Sequence, residues 1–494
     1  MEARARIHVE PPVSNPLPSY WHNPKSQLAN ITESESNNAT QTYDYAIIGS
    51  GISGTTTAFN LLKLRPDARI VMLEAREVCG GATGRNGGHT KAASYRTYLQ
   101  HKEELGKDEA LRIARLEYDN ILATHRMVEE IGIECENQLC NTVDLIYDDD
   151  TFEQGKQAID TLRQDASEED RKERGMAWYK VYSAEEAAEK FFASKHNGNP
   201  EVQKDEKLVG AFEYLAGRIN AYRFTTGLLA ECVKKGLKLY TNMAVHDVLP
   251  PEEDNGISYV VYTEDITILA RSVVYATNGY TPYLLSQLQG VIVPLRGQIT
   301  AQRPGKAAKL PSPLPTTYSF IYKSGYEYMV PRPLAEGGQH IVIGGGLGRE
   351  PEAGAPEYGT VDDSSLNTNM SRYLRGSLVG YFGEENWGEL EGDREQRVVQ
   401  EWTGIMGATA DGRPLVGAVP GVKGVWISAG FNGHGMVLCL KSAEALVEMM
   451  LGADAKDLEW FPNSFSISEE RIQRSSFRGR TDMIPETGGL AACV

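Results

Sequence analysis

The 494-residue chain has little cysteine: Cys79, Cys135, Cys140, Cys232, Cys439 and Cys493 are scattered, with no CxxC pair and no zinc-ligand spacing. A disulfide framework and a structural zinc site are therefore not expected, and a reducing, cytoplasmic compartment is. Long apolar runs are missing too. No stretch approaches the roughly 18 residues of a membrane span, and the opening MEARARIHVE lacks the apolar core of a secretory signal, so neither a span nor secretion is expected. Basic charge is in deficit, with 50 Lys and Arg against 67 Asp and Glu and a net charge of -17. This excludes a general nucleic-acid surface. What remains, 41% hydrophobic and 24% charged residues, describes a globular protein with room for two domains, each with its own core.

Residues 43–74 organise the rest. The apolar run Tyr45-Ala-Ile-Ile48 enters Gly49-Ser-Gly51-Ile-Ser-Gly54, a helix-compatible segment follows to about Leu64, and a second apolar run, Ile70-Val-Met-Leu73, ends at Glu74. Strand, glycine turn, helix and strand form a dinucleotide-binding unit. Gly49 permits the tight turn, Gly51 lets backbone approach a pyrophosphate, and Gly54 lets the helix pack on the strand. The helix N-terminus offers N–H groups and partial positive charge to the phosphates, and Glu74 stands where a carboxylate accepts hydrogen bonds from an adenosine ribose.

Residues 1–42, rich in proline, asparagine and serine, read as a surface arm in which Tyr20 and Trp21 are candidate anchors. After Glu74 comes Cys79-Gly-Gly-Ala-Thr-Gly-Arg-Asn-Gly-Gly-His89, whose five glycines imply backbone held close to something large and flat. Helical periodicity covers residues 103–131, and a strand is expected over 143–147. Residues 148–207 look like a charged, mostly helical, exposed insertion. A helix over 222–234 and a strand over 237–241 follow. Residues 258–263, 266–269 and 272–276 read as a small antiparallel sheet. Pro294-Leu-Arg-Gly-Gln298 opens a second β-rich region, with strands expected over 326–330 and 340–344. Near the end, Val425-Trp-Ile-Ser-Ala-Gly430-Phe-Asn-Gly-His-Gly435-Met436 is a strand and glycine turn before a helix over 437–451, a second helix N-terminus aimed at a ligand.

The dinucleotide unit, the glycine loop, Ala276-Thr-Asn-Gly279, Pro294-Leu-Arg-Gly-Gln298, Trp402-x-Gly404, Asp411-Gly-Arg-Pro414 and Gly430-Phe-Asn-Gly-His-Gly435 occur in that order. Together they resemble the D-amino-acid oxidase-like superfamily of FAD-dependent oxidoreductases, in particular the branch containing gamma-glutamylputrescine oxidoreductase and related fungal amine oxidases. The resemblance covers about residues 43–452. It implies an α/β fold, with a Rossmann-like FAD-binding domain from residues 43–100, 205–292 and 398–455. A substrate domain from 101–204 and 293–397 would carry a mainly antiparallel sheet and helices, with 1–42 an arm and 456–494 a tail.

By the same resemblance, Gly49, Gly51, Ile52, Ser53, Gly54, Glu74 and Ala75 hold the ADP half of FAD, and Val245, Ala276 and Thr277 lie along the cofactor. Gly81, Ala82, Thr83, Arg85, Asn86, Gly87, Gly88 and His89 line the flavin. Trp402, Asp411, Gly430, Asn432, Gly433, His434, Gly435 and Met436 complete the site, the last four at the flavin's pyrimidine edge, where a helix N-terminus stabilises the charge of the reduced ring. The implied reaction takes a hydride from the carbon beside an amine or amino-acid nitrogen to flavin N5. It yields an imine that water hydrolyses, with oxygen as acceptor and hydrogen peroxide as product. His434, Arg296 and Tyr328 are the candidate catalytic residues, and Tyr322 and Tyr326 further candidate pocket residues. A dehydrogenase with a quinone or protein acceptor and a non-catalytic flavin-binding assembly factor are the alternatives. The sequence assigns no oligomeric state.

Two departures from the superfamily pattern matter. Amino-acid oxidases often place a carboxylate-binding arginine two residues beyond the glycine of Trp-x-Gly, and here Met406 stands there. Amines lacking an α-carboxylate are therefore the expected substrates, unless Arg296 or Arg332 substitutes. Relatives with a cysteinyl flavin carry the cysteine in this segment, and residues 402–414 contain none. Non-covalent FAD is expected, with His89 the one candidate for a histidyl link and more readily a hydrogen-bonding residue.

Overall fold

The computed structural model describes residues 1–31, 42–251, 258–475 and 477. Parts of the expected arm (32–41) and tail (476 and 478–494, with Cys493) lie outside the described residues. Two sheets divide the chain. The first has the order Leu415–Ala418, Val425–Ala429, Thr267–Tyr275, Thr42–Ile48, Ile70–Leu73, Lys238–Tyr240, and its last five strands are mutually parallel.

Alternation along the central strands separates two apolar layers. Ile47, Met72 and Val274 face the helices Ile52–Leu64, Ala221–Lys234 and Cys439–Met450. Ala46, Ile48, Val71, Leu73 and Val273 face a β-layer that includes Val245–Leu249 and Tyr259–Thr263. Burial on both faces is why these strands read as continuous apolar runs. Thr42–Ile48 and Val425–Ala429 each end in a glycine turn at the same edge of the parallel sheet, the edge where open α/β sheets bind ligands.

The second sheet runs Val398–Thr409, Ile292–Gln302, Gln339–Gly344, Gly325–Pro333, Thr317–Tyr322, Gln138–Ile146, Gly210–Arg218, His89–Thr90. All its pairs are antiparallel except Thr317–Tyr322 with Gln138–Ile146. The molecule is thus a mixed α/β protein. Among the described residues no helix is long and apolar enough to cross a membrane.

Several expectations are corrected. The domain limits at 205 and 398 do not follow the sheets, because Gly210–Arg218 and Val398–Thr409 pair along their lengths with strands of the second sheet. The pair His89–Thr90, inside 43–100, belongs there too. Residues 266–269 and 272–276 are not two short strands but one, Thr267–Tyr275; exposed Arg271 interrupts the apolar pattern while pairing to Thr42–Ile48 continues on both sides of it. The periodic stretch 103–131 is two helices, Tyr95–Leu105 and Lys107–Ile131, split at Gly106, whose φ is +86°.

The described part of the arm runs along the surface, most of it exposed or half-buried, and its aromatics anchor it as expected. Tyr20 and Trp21 are 7% and 3% exposed, Tyr20 stacks on Trp402, and the Trp21 indole N–H donates to the Asn86 carbonyl. Leu17 N–H donates to Asp363 O at 2.8 Å, and Arg4 donates to Tyr358 O at 2.6 Å.

Candidate active site

The first glycine turn leaves room at one position and none at two others. A Cβ on Gly49, whose φ is +106°, would stand 2.6 Å from Ala276 O, and one on Gly54 would stand 2.0 Å from Gly49 O. Gly51 borders the cavity, and a Cβ there would meet only the Thr83 side chain, its Oγ1 at a tight 3.2 Å. Beside the turn, Glu74 Oε2 accepts from the Ser50 N–H at 3.0 Å and the Ser50 hydroxyl at 2.6 Å, and Oε1 accepts from Arg76 N–H at 3.1 Å. The carboxylate is thereby aimed while keeping unused lone pairs.

The glycine-rich loop is bound to both sheets. Cys79 N–H donates to Ser50 Oγ at 2.8 Å, and the Trp402 indole donates to Arg85 O at 2.7 Å. The Arg85 guanidinium donates to Gly80 O (2.8 Å), Leu17 O (2.8 Å) and Thr403 O (3.0 Å). Gly87 lies so close to the Tyr328 ring that a Cβ would meet it at 2.4 Å. The second turn is fixed by two asparagines at positive φ. Asn278 Oδ1 accepts from Gly430 N–H (2.9 Å) and Phe431 N–H (3.2 Å), and Asn432 Oδ1 accepts from Thr409 N–H at 2.8 Å. Bonds from His434 N–H to Phe431 O and Val437 N–H to His434 O close the turn, so the Gly435 and Met436 N–H groups have no acceptor among the described residues.

Both turns open on one cavity. Of the expected cofactor residues, Gly49, Gly51, Ile52, Ser53, Glu74, Ala75, Gly81, Ala82, Thr83, Arg85, Asn86, Gly87, His89, Val245, Ala276, Thr277, Gly433, His434, Gly435 and Met436 line it. Gly54, Gly88, Trp402, Asp411, Gly430 and Asn432 do not. Gly54 is packed against the strand, a Cβ on Gly88 would meet Ile219 O at 2.5 Å, and Trp402 caps the loop from behind. Asp411 is paired with Arg471 at 2.8 Å, a Cβ on Gly430 would meet the Thr409 methyl at 2.7 Å, and Asn432 braces its own turn.

The three candidate catalytic residues all reach the cavity but differ in what they offer. His434 Nδ1 lies 2.7 Å from Asn432 O and therefore carries the proton, and burial lowers the ring's pKa, keeping it neutral. Tyr328 forms a wall, its hydroxyl pushed up by burial. Arg296 is corrected: its guanidinium turns to Glu357 (2.6 Å), Ser365 Oγ (2.9 Å) and Asp362 O (3.2 Å), which makes it a strut for residues 357–365. Arg332 is bound to Glu136 at 2.9 Å under Tyr20, away from the cavity. Tyr322 is a core residue bonded to Glu327, whereas Tyr326 lines the cavity. His89 Nε2 is 2.6 Å from Thr317 Oγ1, and burial drives its pKa down.

Sequence reasoning missed Lys91 and Arg96. Buried Lys91 pairs with Asp144, and burial lowers its pKa to about 8. Buried Arg96 holds its guanidinium 4.0 Å from the centre of the Tyr326 ring. The one available signal was that Lys91 follows His89 at a spacing of two. Met406 also lines the cavity, as do Pro11 and Pro12 of the arm.

These features fit FAD. The Gly51 opening suits a pyrophosphate, Glu74 suits ribose hydroxyls, and the Gly435 and Met436 N–H groups suit a ring oxygen. The buried Tyr280 hydroxyl, on the cavity near Arg76 and Glu74, has no hydrogen-bond partner among the described residues. The comparisons agree. Probable oxidoreductase OrdL of Haemophilus influenzae is 21% identical over 417 residues, 84% of each chain. Glycine oxidase from Geobacillus kaustophilus superposes with a TM-score of 0.63 at 22% identity over 87% of this chain and 99% of that one. L-proline dehydrogenase from P. horikoshii does so with 0.62 at 18% identity over 86% and 98%. The sequence model described as FAD dependent oxidoreductase matches residues 44–449, most of the chain, and the protein belongs to that family, DAO.

Proposed function

We propose that the protein oxidises the C–N bond of a primary or secondary amine that carries a carboxylate or similar anionic group, giving the imine, with oxygen as electron acceptor. The observation that carries this reading is the convergence of Arg96, Tyr326, Tyr328 and the Gly433–Met436 turn on one cavity. FAD bound there would supply the two-electron oxidation. The Gly435 and Met436 N–H groups would stabilise negative charge, and Glu74 and the Gly51 opening would hold the adenosine and phosphates. Arg96, backed by the Tyr326 ring, would fix the substrate's anionic group. Tyr328 and Met406 would wall the reacting carbon from water.

The place of Met406 alone favoured amines without a carboxylate, but Arg96 brings a cation to the same cavity from another element. Glycine oxidase and L-proline dehydrogenase, of similar fold, bear names that denote amino-acid substrates, which supports the reading. A cytoplasmic setting belongs to it as well, supported by five described cysteines that are all unpaired. The test is anaerobic mixing of the yellow holoenzyme with matched pairs, glycine against methylamine and proline against pyrrolidine, following loss of flavin colour. Faster bleaching by the carboxylated member is expected, and peroxide on admitting air. Bleaching by neither pair would overturn the reading, and bleaching without peroxide would replace oxygen by another acceptor.

A further inference from the structure

A second cavity adjoins the first and shares Ala93, Arg96, Phe431 and His434 with it. It lies between the helix Tyr95–Leu105 and the turn at 410–414. Its members Glu104, Gly412 and Arg474 are exposed, whereas Arg96 and Glu117 are buried, so the cavity leads from the surface to the wall of the catalytic cavity.

The charges toward its mouth are matched within the wall, Arg413 with Glu104 at 2.9 Å and Arg471 with Asp411 at 2.8 Å. Glu117 differs. It is 7% exposed and receives the Ser94 hydroxyl, and among the described residues no cationic side chain forms an ion pair with it. Burial pushes this carboxyl up to about 8, the behaviour of an acid whose charged form lacks a counter-ion. A helix-interior glutamate with one hydrogen-bond partner is an expensive way to fill space, because alanine or leucine there would bury no polar group.

An amine in neutral water is mostly ammonium, as the lysine side chain with its pKa near 10.4 illustrates. Moving it into a buried passage demands a counter-charge. We propose that the second cavity is the passage by which the amine substrate moves between solvent and the catalytic cavity, and that Glu117, releasing its proton to solvent as the cation arrives, holds its ammonium group on the way while Arg96 meets its anionic group. This rests on the amine-oxidising reading given above. Glu117 is on this account a specificity-determining residue for ammonium-bearing substrates, separate from the groups around the reacting carbon.

The experiment is anaerobic stopped-flow reduction of the holoenzyme by glycine and by proline, in wild type, Glu117→Gln, Glu117→Asp and Thr97→Trp. Glutamine still accepts the Ser94 hydrogen bond, so a structural role for Glu117 would survive that change, whereas cation binding would not. Thr97 lines the passage and not the first cavity, so tryptophan there narrows the route without altering charge. For Glu117→Gln and Thr97→Trp, the slope of reduction rate against substrate concentration should fall about tenfold, while the rate at saturation stays within about twofold of wild type. Glu117→Asp should recover part of the slope. Wild-type slopes in both variants would overturn the proposal, and so would a loss confined to the saturating rate, which would assign Glu117 to the chemistry. Should Thr97→Trp fail to fold with flavin, Gln100→Trp on the same passage takes its place. If neither glycine nor proline reduces the wild-type flavin, the amine-oxidising reading falls and takes this inference with it; reduction with unchanged variants removes the passage alone.

Discussion

Gly51 and Gly54 stand three residues apart and resist substitution for different reasons. A side chain on Gly54 overlaps the Gly49 carbonyl, so the strand and helix cannot close, whereas one on Gly51 enters the cavity past Thr83. Gly51→Val should therefore fold with normal circular dichroism and lose its FAD, and Gly54→Val should fail to fold. Flavin absorbance per mole of protein separates the two, and full flavin in Gly51→Val would show that the pyrophosphate lies elsewhere. These glycines were legible because a dinucleotide turn is written in consecutive residues. Arg96 was not, since its meaning depends on Tyr326, which only the sheet brings near. The anchoring of Arg296 was illegible for the same reason, its partner Glu357 being far along the chain. For Arg96→Met the expected result is a loss of about a hundredfold in kcat/KM for glycine, the scale of removing one partner from a buried charge pair. Methylamine, with no carboxylate to lose, should change little; equal losses for both would assign Arg96 to the fold.

Among the elements, the N-terminal segment shows what composition leaves out. Proline, asparagine and serine describe a chain that forms no core of its own, and that much is correct; what composition cannot carry is the set of grooves waiting on other segments. Trp21 is enclosed against Gly88 and the Asn86 carbonyl, Tyr20 lies on Trp402, and Pro11 and Pro12 help wall the cavity. Most helices and the parallel core were legible from periodicity, whereas the long strands Thr267–Tyr275 and Val398–Thr409 were divided or misassigned because pairing partners, not local pattern, set their extent. Trp21→Ala should cost about 3 kcal/mol of stability, as expected for emptying a buried indole site. Because the cavity loses part of its rim, flavin should also leave during gel filtration, an effect read from the absorbance of the protein peak. Unchanged flavin retention together with lowered stability would limit the segment to a structural role.

At the scale of the molecule, interleaving is the dominant feature: both sheets draw on segments from early and late in the chain, so neither can form until much of it is present. Motif order led to the expectation of two domains; the structure shows two sheets, whose limits were illegible because the chain crosses between them within single segments. The same burial sets the response to acid. His22, His101, His125 and His340 are each held down to about 4, chiefly by burial, and His89 and His434 are lowered as well. An unfolded histidine takes up a proton near 6.5. Between about 4 and 6.5 the unfolded chain therefore binds protons that the folded chain does not, so this stability is complete above 6.5 and drains as the pH falls toward 4. Glu117, Asp119 and Glu327 act in the opposite sense, their raised values favouring the fold on acidification, but they are fewer. His125 isolates the effect, since it is 3% exposed and its Nε2 bonds Thr90 Oγ1 at 2.7 Å beneath the strand that carries His89. The melting temperature of wild type should fall from pH 7 to pH 5, and His125→Gln, which has nothing to protonate, should fall less. The difference expected is on the order of 1 kcal/mol at pH 5. Equal drops in the two proteins would show that His125 is already protonated in the fold, and would move the source of acid lability to the other buried histidines.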